Sequence, residues 1–205
     1  APPVMAALLI QSLYNVVDSL FVGKYDPSGN GINALSVIYT MQLVIIALAV
    51  GTGVGVNTYM AKLYAEKKEK EANETAGVGA ILSIIMWIIF SLLSVVIIKP
   101  FINFQCTDET AREYAFTYGI IVCVGSLGVF AEGIFTKVHQ AEGNMILPTI
   151  AQITGAVVNV ILDPVLIFGW WIFPEMGIAG AAVATVSGQV IAAVITGIKG
   201  FRKPL

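Results

Sequence analysis

Long apolar runs separated by short polar breaks dominate the chain. Six runs reach the length of about 20 residues that a helix needs to cross the hydrocarbon core of a bilayer. The breaks carry turn chemistry, as in GKYDPSGNG and HQAEGN. The pattern therefore predicts an all-α membrane protein, a bundle of six transmembrane helices. The spans are expected near residues 3–22, 33–61, 77–98, 114–138, 146–170 and 178–198.

Positive charges are distributed unevenly between the two sets of connections. If the N-terminus is cytoplasmic, eight of the eleven Lys and Arg residues fall on the cytoplasmic side and three on the other. Because cytoplasmic connections accumulate Lys and Arg, this bias predicts that both termini are cytoplasmic. The 62–75 segment, in which Lys and Glu alternate, is then a charged cytoplasmic loop that acts as a solvated extension of the second span.

Composition agrees with a surface that faces lipid. Of 205 residues, 57% are hydrophobic and 12% charged, whereas a soluble domain carries about 25% charged residues. No basic cluster with interleaved aromatic residues is present, so nucleic acid is not an expected partner. Cys106 and Cys123 lie far apart in the predicted topology, so neither a disulfide nor a Cys/His metal site is expected.

Small residues recur at four-residue spacing in two of the predicted spans. The sixth span carries Gly180, Ala184, Gly188 and Ala192, and the second carries Gly51 and Gly55. Such spacing lets helix backbones approach closely in lipid. Both ridges are therefore predicted to be helix-packing surfaces.

Three acidic residues fall inside predicted spans: Asp18, Glu132 and Asp163. An ionised side chain at the middle of a bilayer costs about 2.5–3.5 kcal/mol on insertion scales. No Lys or Arg lies at a similar depth, so an ion pair within the chain does not offset that cost. Protonation, a bound cation or hydration remains. The single histidine, His139, lies at the predicted cytoplasmic end of the fourth span, where an interfacial position is expected.

Polar residues accompany two of these acids along one helix face each. Gln11 and Asn15 share a face with Asp18, and Gln152 and Asn159 share a face with Asp163. Both spans run in the same direction, so the two aspartates are expected at similar depth. Asn159 lies one turn from Asp163 and can hydrogen-bond it. Pro164 follows Asp163 and frees a backbone carbonyl beside the acid.

Tyr118 and Thr185 are expected near the same depth, which predicts one polar pocket shared by four spans. Two carboxyl groups in a poorly hydrated site are suited to taking up and releasing a proton near neutral pH, or to holding Na⁺. The alternative is that the polar stripes only hold helices together. Glu132 lies deeper; it is a second acidic station, a cavity-lining group or a hydrated residue of an inward-open vestibule.

The sequence resembles the multidrug and toxic compound extrusion (MATE) family. Five stretches match in the family's order and spacing: Leu13–Gly23 (LYNVVDSLFVG), Ala49–Asn57 (AVGTGVGVN), Gln140–Asn144 (QAEGN), Val158–Gly169 (VNVILDPVLIFG) and Gly177–Thr185 (GIAGAAVAT). The resemblance implies two six-helix lobes in a prokaryotic cytoplasmic membrane, of which this chain is the N-terminal one. It also implies export of organic, often cationic, small molecules in exchange for H⁺ or Na⁺, with no other cofactor. A C-terminal lobe or a second copy is then the expected partner.

The resemblance also assigns expected roles to residues. Asp18 and Asp163, with Asn159, would couple the cation, and Na⁺ there is the single metal ion considered. The expected cavity or substrate residues are Tyr118, Thr185, Asn15, Gln11, Gln152, Glu132 and Thr136. Thr136 stands where similar members carry an acid in this helix, one turn after Glu132, so the residue of this helix that assists coupling is left open.

Three other functions are weighed against export of drugs. A flippase for lipid-linked oligosaccharides has the same architecture, but a pyrophosphate cargo calls for basic residues, and no span carries a mid-membrane Lys or Arg. A membrane scaffold that transports nothing predicts no effect of pH or Na⁺ on ligand binding. An enzyme is not expected, since the sequence offers no nucleophile–base set, metal cluster or phosphate-binding loop.

Overall fold

The computed structural model describes the backbone of residues 2–200 and the side chains of residues 15–198, with those of Met5, Leu9 and Leu13. Within this range the chain forms seven helices and no strand, which confirms the predicted all-α class. The helices are α1 (Pro2–Tyr25), α2 (Asn30–Ala65), α3 (Glu69–Gln105), α4 (Glu109–Val124), α5 (Leu127–Ala141), α6 (Ile146–Ile167) and α7 (Ile178–Gly200).

The outer surface of the bundle is apolar enough to face lipid. Among the described residues, α2, α3, α6 and α7 are each long and apolar enough to cross a membrane, and α4 with α5 qualifies as one bent pair. On α3, Leu92 is 66% exposed and Val96 73% exposed. Exposed apolar area on this scale is typical of a surface solvated by lipid. The count of six membrane spans and the cytoplasmic position of both termini stay predictions.

The fourth predicted span is not one continuous helix. It begins at Glu109 and is broken between α4 and α5, whose axes differ by 43°. Gly125 and Ser126 form the break, and the Ser126 hydroxyl donates a hydrogen bond to the Cys123 carbonyl at 2.7 Å. Kinks concentrate at Gly/Ser pairs. A Cβ at Gly125 would lie 2.7 Å from a methyl group of Val186 on α7, so the bend also allows close packing there.

The prediction of a loop at 62–75 is wrong for most of that segment, which is helical. α2 continues to Ala65 and α3 begins at Glu69, so the connection is a turn of a few residues. Lys67 adopts φ 60°, and the Lys68 N–H donates to the Leu63 carbonyl, which ends α2 in a Schellman motif. Lys and Glu are good helix formers, so the charged helix ends extend beyond the apolar span instead of unravelling. The hydrogen bond and the charge of Lys68 lower the pKa of Glu66 in this turn.

α6 and α7 form the most extensive helix contact of the bundle. A Cβ built on Gly188 would lie 2.5 Å from the Gly155 carbonyl oxygen, and one on Gly180 would lie 2.6 Å from the Leu166 carbonyl. The small-residue ridge of the sixth span is therefore a packing surface, as predicted. The ridge of the second span is not, because a Cβ at Gly51 or Gly55 would meet nothing within 4 Å.

Gly188→Ala is expected to destabilise the protein by about 1–3 kcal/mol, since the added methyl group overpacks a backbone contact that cannot move independently. Gly55→Ala is the matched control and should leave stability equal or slightly higher, because Ala favours helix over Gly. Thermal unfolding of both variants in the same detergent measures the effect. Equal melting temperatures for the two variants would contradict the packing role.

His139 is buried, not interfacial as the sequence suggested. It is 3% exposed, and its Nε2 lies 2.9 Å from the Thr196 carbonyl oxygen of α7. Its Nδ1 lies 3.6 Å from Oε2 of Glu142. The helix continues two residues past His139 and α7 packs over this end of α5, which covers the ring. Position along a span gave no information about that neighbour.

His139→Phe is expected to lower stability by about 1 kcal/mol, the net value of an ordinary hydrogen bond. The phenyl ring of Phe fills a similar volume to the imidazole but cannot donate a hydrogen bond to the Thr196 carbonyl oxygen. His139→Gln keeps an N–H donor of similar reach and should restore most of the loss. Thermal unfolding distinguishes the two, and a loss of the same size in both variants would show that the hydrogen bond is unimportant.

One hydrophobic core joins residues of all seven helices. α1 packs mainly on α6, while α2 contacts α3, α4 and α5. Ile38, Ile98, Val122 and Phe130 are almost fully buried in this core. Cys106 and Cys123 are both free and buried. This arrangement brings the polar faces of α1, α4, α6 and α7 together.

Candidate functional site

Asp18 of α1 and Asp163 of α6 lie close enough to interact electrostatically. Asp18 is 4% exposed and Asp163 is fully buried. Tyr118 of α4, itself buried, is hydrogen-bonded to the Asp18 carboxyl. The structure therefore brings Asp18, Asp163 and Tyr118 together from three helices. Asp18 and Asp163 are called the acid pair below.

The acid pair is poorly satisfied by the rest of the protein. Among the described residues, neither oxygen of Asp163 has a hydrogen-bond partner, and Oδ1 of Asp18 has none. No ion pair within the described part of the chain includes either side chain. A buried carboxylate without a partner is strongly unfavourable. Two such groups side by side are more stable with a bound proton or small cation than as two unneutralised negative charges.

Asn159 does not hydrogen-bond Asp163, although its position one turn away in the sequence allowed that bond. Its Nδ2 instead donates to the Thr185 hydroxyl of α7 at 3.3 Å, and both side chains are buried. The rotation of α6 that packs Gly155 on Gly188 also directs this amide to α7. Asn159 thus links α6 to α7 one turn from Asp163. Its Oδ1 has no partner among the described residues.

A cavity of about 370 Å³ opens beside the acid pair. Asn159 and Thr185 form part of its wall, while Asp18 and Asp163 are not among the lining residues. The remaining polar wall residues are Asn15, Tyr39, Gln42, Glu132, Gln152 and Gln189, and apolar side chains such as Leu43 and Val129 complete it. This space is called the polar cavity. Asn159 lies one turn from Asp163 on α6, and Asn15 lies three residues from Asp18 on α1, so each of these wall residues is on the same helix face as one member of the acid pair.

Glu132 lies in the wall of the polar cavity and is tied to two neighbouring side chains. The Thr136 hydroxyl donates to its Oε1 at 2.6 Å, and Nε2 of Gln152 donates to the same oxygen at 3.0 Å. Thr136 is one turn away on α5, and Gln152 comes from α6. Gln152 therefore contacts Glu132, although its position on the α6 face had grouped it with Asp163.

Two amide side chains of the cavity were missed in the sequence, Gln42 of α2 and Gln189 of α7. Each is a polar residue inside an apolar span, which is the signal that could have found them. They were missed because neither belongs to a stripe of polar residues. Asn15 lines the cavity, and the side chain of Gln11 lies outside the described residues.

Comparison with known proteins places this arrangement among membrane transporters. The family model described as MatE matches residues 3–165. A Thermotoga maritima protein named "Probable multidrug resistance protein NorM" is 30% identical over 200 residues, covering 94% of this chain and 41% of that protein. A Shewanella oneidensis protein named "FAD transporter" is 26% identical and covers 90% of this chain and 40% of its own length.

Solved structures give the same result. A transporter of the MOP superfamily from Pyrococcus furiosus superposes with a TM-score of 0.89 at 25% identity, covering 98% of this chain and 43% of that one. An outward-facing multidrug resistance transporter of the same superfamily matches equally well, with a TM-score of 0.89. The chain thus spans less than half the length of these relatives and corresponds to one lobe of their structures.

Proposed function

The chain belongs to the MATE family of membrane transporters, and on that premise we propose that it forms the N-terminal lobe of a secondary active exporter. The exporter exchanges H⁺ or Na⁺ for organic small molecules across the prokaryotic plasma membrane. The lobe is a multi-pass membrane domain, and transport requires a second lobe that closes the other side of the cavity. It is a transporter and not an enzyme, and it needs no cofactor besides the coupling ion.

The observation that carries this proposal is the acid pair. Asp163 is buried, neither of its carboxyl oxygens has a hydrogen-bond partner among the described residues, and Asp18 is its acidic neighbour. A protonated or Na⁺-occupied pair is compatible with tight packing of α1 on α6. An empty, ionised pair repels itself and demands water, which favours a more open arrangement of the same helices. The coupling ion therefore selects between two packings of α1 against α6.

Asn159 connects that choice to the cargo. It donates to Thr185 and lines the polar cavity, one turn from Asp163. A shift of α6 on cation binding displaces Asn159 and changes the cavity wall. Cargo and coupling ion then favour opposite packings of α1 against α6. Binding of one therefore weakens binding of the other, which is the thermodynamic requirement for exchange.

The charge of the cavity wall bears on the alternatives. No Lys, Arg or His is among the described residues that line it. A pyrophosphate-linked oligosaccharide and FAD both carry phosphate charge, so the wall disfavours a flippase for the former and carriage of the latter. The wall favours neutral or cationic organic molecules. A scaffold that transports nothing would bear the free-energy cost of burying the two carboxyl groups of the acid pair with no functional gain.

Dye efflux from vesicles tests the proposal. The lobe, assembled with its second lobe, is reconstituted with ethidium inside, and either a pH gradient or a Na⁺ gradient is imposed. We expect efflux driven by at least one of the two gradients and abolished when that gradient is collapsed. Efflux at the rate of protein-free vesicles under both gradients would overturn the proposal.

A further inference from the structure

Glu132 is the single charged side chain among the described residues that line the polar cavity. The other polar groups of the wall are neutral amides and hydroxyls. The wall therefore has a negative group and no positive one within the described part of the chain. A low-dielectric cleft with one sign of charge concentrates ligands of the opposite sign.

The carboxylate of Glu132 is held in place but not saturated. Both donors, the Thr136 hydroxyl and the Gln152 amide, reach Oε1, from α5 and α6 respectively. None of the hydrogen bonds among the described residues uses Oε2. Two anchoring bonds fix the orientation of the group, and its second oxygen keeps its full capacity to accept.

The cavity wall also contains acceptors without donors. Oδ1 of Asn159 and Oε1 of Gln189 are buried and have no hydrogen-bond partner among the described residues. Asn159 is 2% exposed, so bulk water does not compensate it. Buried acceptors of this kind are costly unless a ligand supplies N–H or O–H groups. Together with Oε2 of Glu132, they are acceptors of the wall that have no protein donor among the described residues.

We propose that the polar cavity selects organic cations that carry N–H donors, and that Glu132 sets this specificity. The chemical class is an ammonium, amidinium or guanidinium group on an apolar body that packs on side chains such as Leu43 and Val129. A permethylated cation supplies the charge but no donors, so it leaves the unpaired acceptors of the wall unsatisfied. This inference deepens the proposed export function and rests on it.

The experiment compares two matched fluorescent probes with the chain, assembled with its second lobe, in lipid nanodiscs. Dansylcadaverine ends in a primary ammonium, and its N-trimethyl derivative has the same charge and fluorophore without donors on the cation. We expect the primary ammonium to bind ~5-fold more tightly or better, the size of effect that one or two hydrogen bonds to a charged group produce. Equal affinity for the two probes, or no binding of either, would overturn the proposal.

Variants assign the effect to Glu132. Glu132→Gln is expected to weaken dansylcadaverine binding ~10-fold and to bring the two probes closer in affinity. Glu113→Gln makes the same chemical change on the exposed surface of α4 and should bind like the wild type. Gln189→Leu removes an acceptor that has no partner to lose, so it should fold and should narrow the preference between probes. A Glu132→Gln chain that binds both probes like the wild type contradicts the assignment.

Failure of this inference can be told apart from failure of the proposed function. Donor-selective binding that depends on Glu132, with no gradient-driven ethidium efflux, would reject the export function and keep the specificity. Gradient-driven efflux with no preference between the probes would reject the specificity and keep the export function.

Discussion

Asp163→Asn is expected to reduce gradient-driven export by about 10-fold or more, because coupling free energies between two ligands are typically ~1–3 kcal/mol and this change removes the titrating group. The amide cannot release a proton and binds Na⁺ without charge. The position is fully buried and both carboxyl oxygens lack partners among the described residues, so no hydrogen bond of the native protein is lost. Ethidium efflux from vesicles under the effective gradient measures the result.

The same variant separates a functional role from a structural one. Because a buried carboxyl without partners costs stability, Asp163→Asn should melt at the same temperature as the wild type or higher. If Asp163 only held α1 to α6, the variant would instead be destabilised and would export normally once folded. Asp18→Asn should also lose coupling but lose some stability, because its carboxyl is bonded to Tyr118. Glu109→Gln, on the exposed start of α4, is the matched control and should export like the wild type.

Asn159→Leu is expected to give the second largest effect, an exporter that binds cargo but responds weakly to the cation. The side chain of Leu is close in size but loses the hydrogen bond to Thr185 and removes a polar group from the cavity wall one turn from Asp163. We expect ligand affinity to become insensitive to pH and Na⁺, a loss of about 5-fold or more in coupling. Ethidium binding in nanodiscs, titrated at two pH values with and without Na⁺, measures it.

Thr185→Val controls for the hydrogen bond alone. It removes the acceptor of Asn159 but keeps the amide beside Asp163. If the link through Asn159 itself matters, Thr185→Val should retain part of the cation response that Asn159→Leu loses. An Asn159→Leu protein whose ligand affinity still changes with pH or Na⁺ like the wild type would show that coupling takes another route.

Periodicity predicted which residues share a helix face, and this was enough to identify the acid pair. Asp18 and Asp163 were two of the three acidic residues inside predicted spans, and two helices of the same direction place these two at one depth. The cost of burying charge is large, so such residues are informative in any membrane sequence. The structure brings these two side chains together and adds Tyr118 to Asp18.

The hydrogen-bond partners, the helix bend and the other cavity residues depended on helix rotation and packing, about which periodicity gives no information. Asn159 donates to Thr185 instead of Asp163 because the contact of Gly155 with Gly188 sets the rotation of α6 on α7. The bend at Gly125 and Ser126 depends on a neighbour, Val186, that is distant in sequence. Single amides such as Gln189 form no stripe, so only the cavity itself distinguishes them from other polar residues in spans.

The most direct test of the central claim is the release of the coupling ion when cargo binds. Ethidium is added to the chain, assembled with its second lobe, in nanodiscs in weak buffer, and released H⁺ and Na⁺ are recorded with a pH indicator and a Na⁺ electrode. We expect release of one of these ions in proportion to bound ethidium, and no release when the chain carries both Asp18→Asn and Asp163→Asn. Binding of ethidium with no release of either ion, or equal release from the double variant, would contradict it.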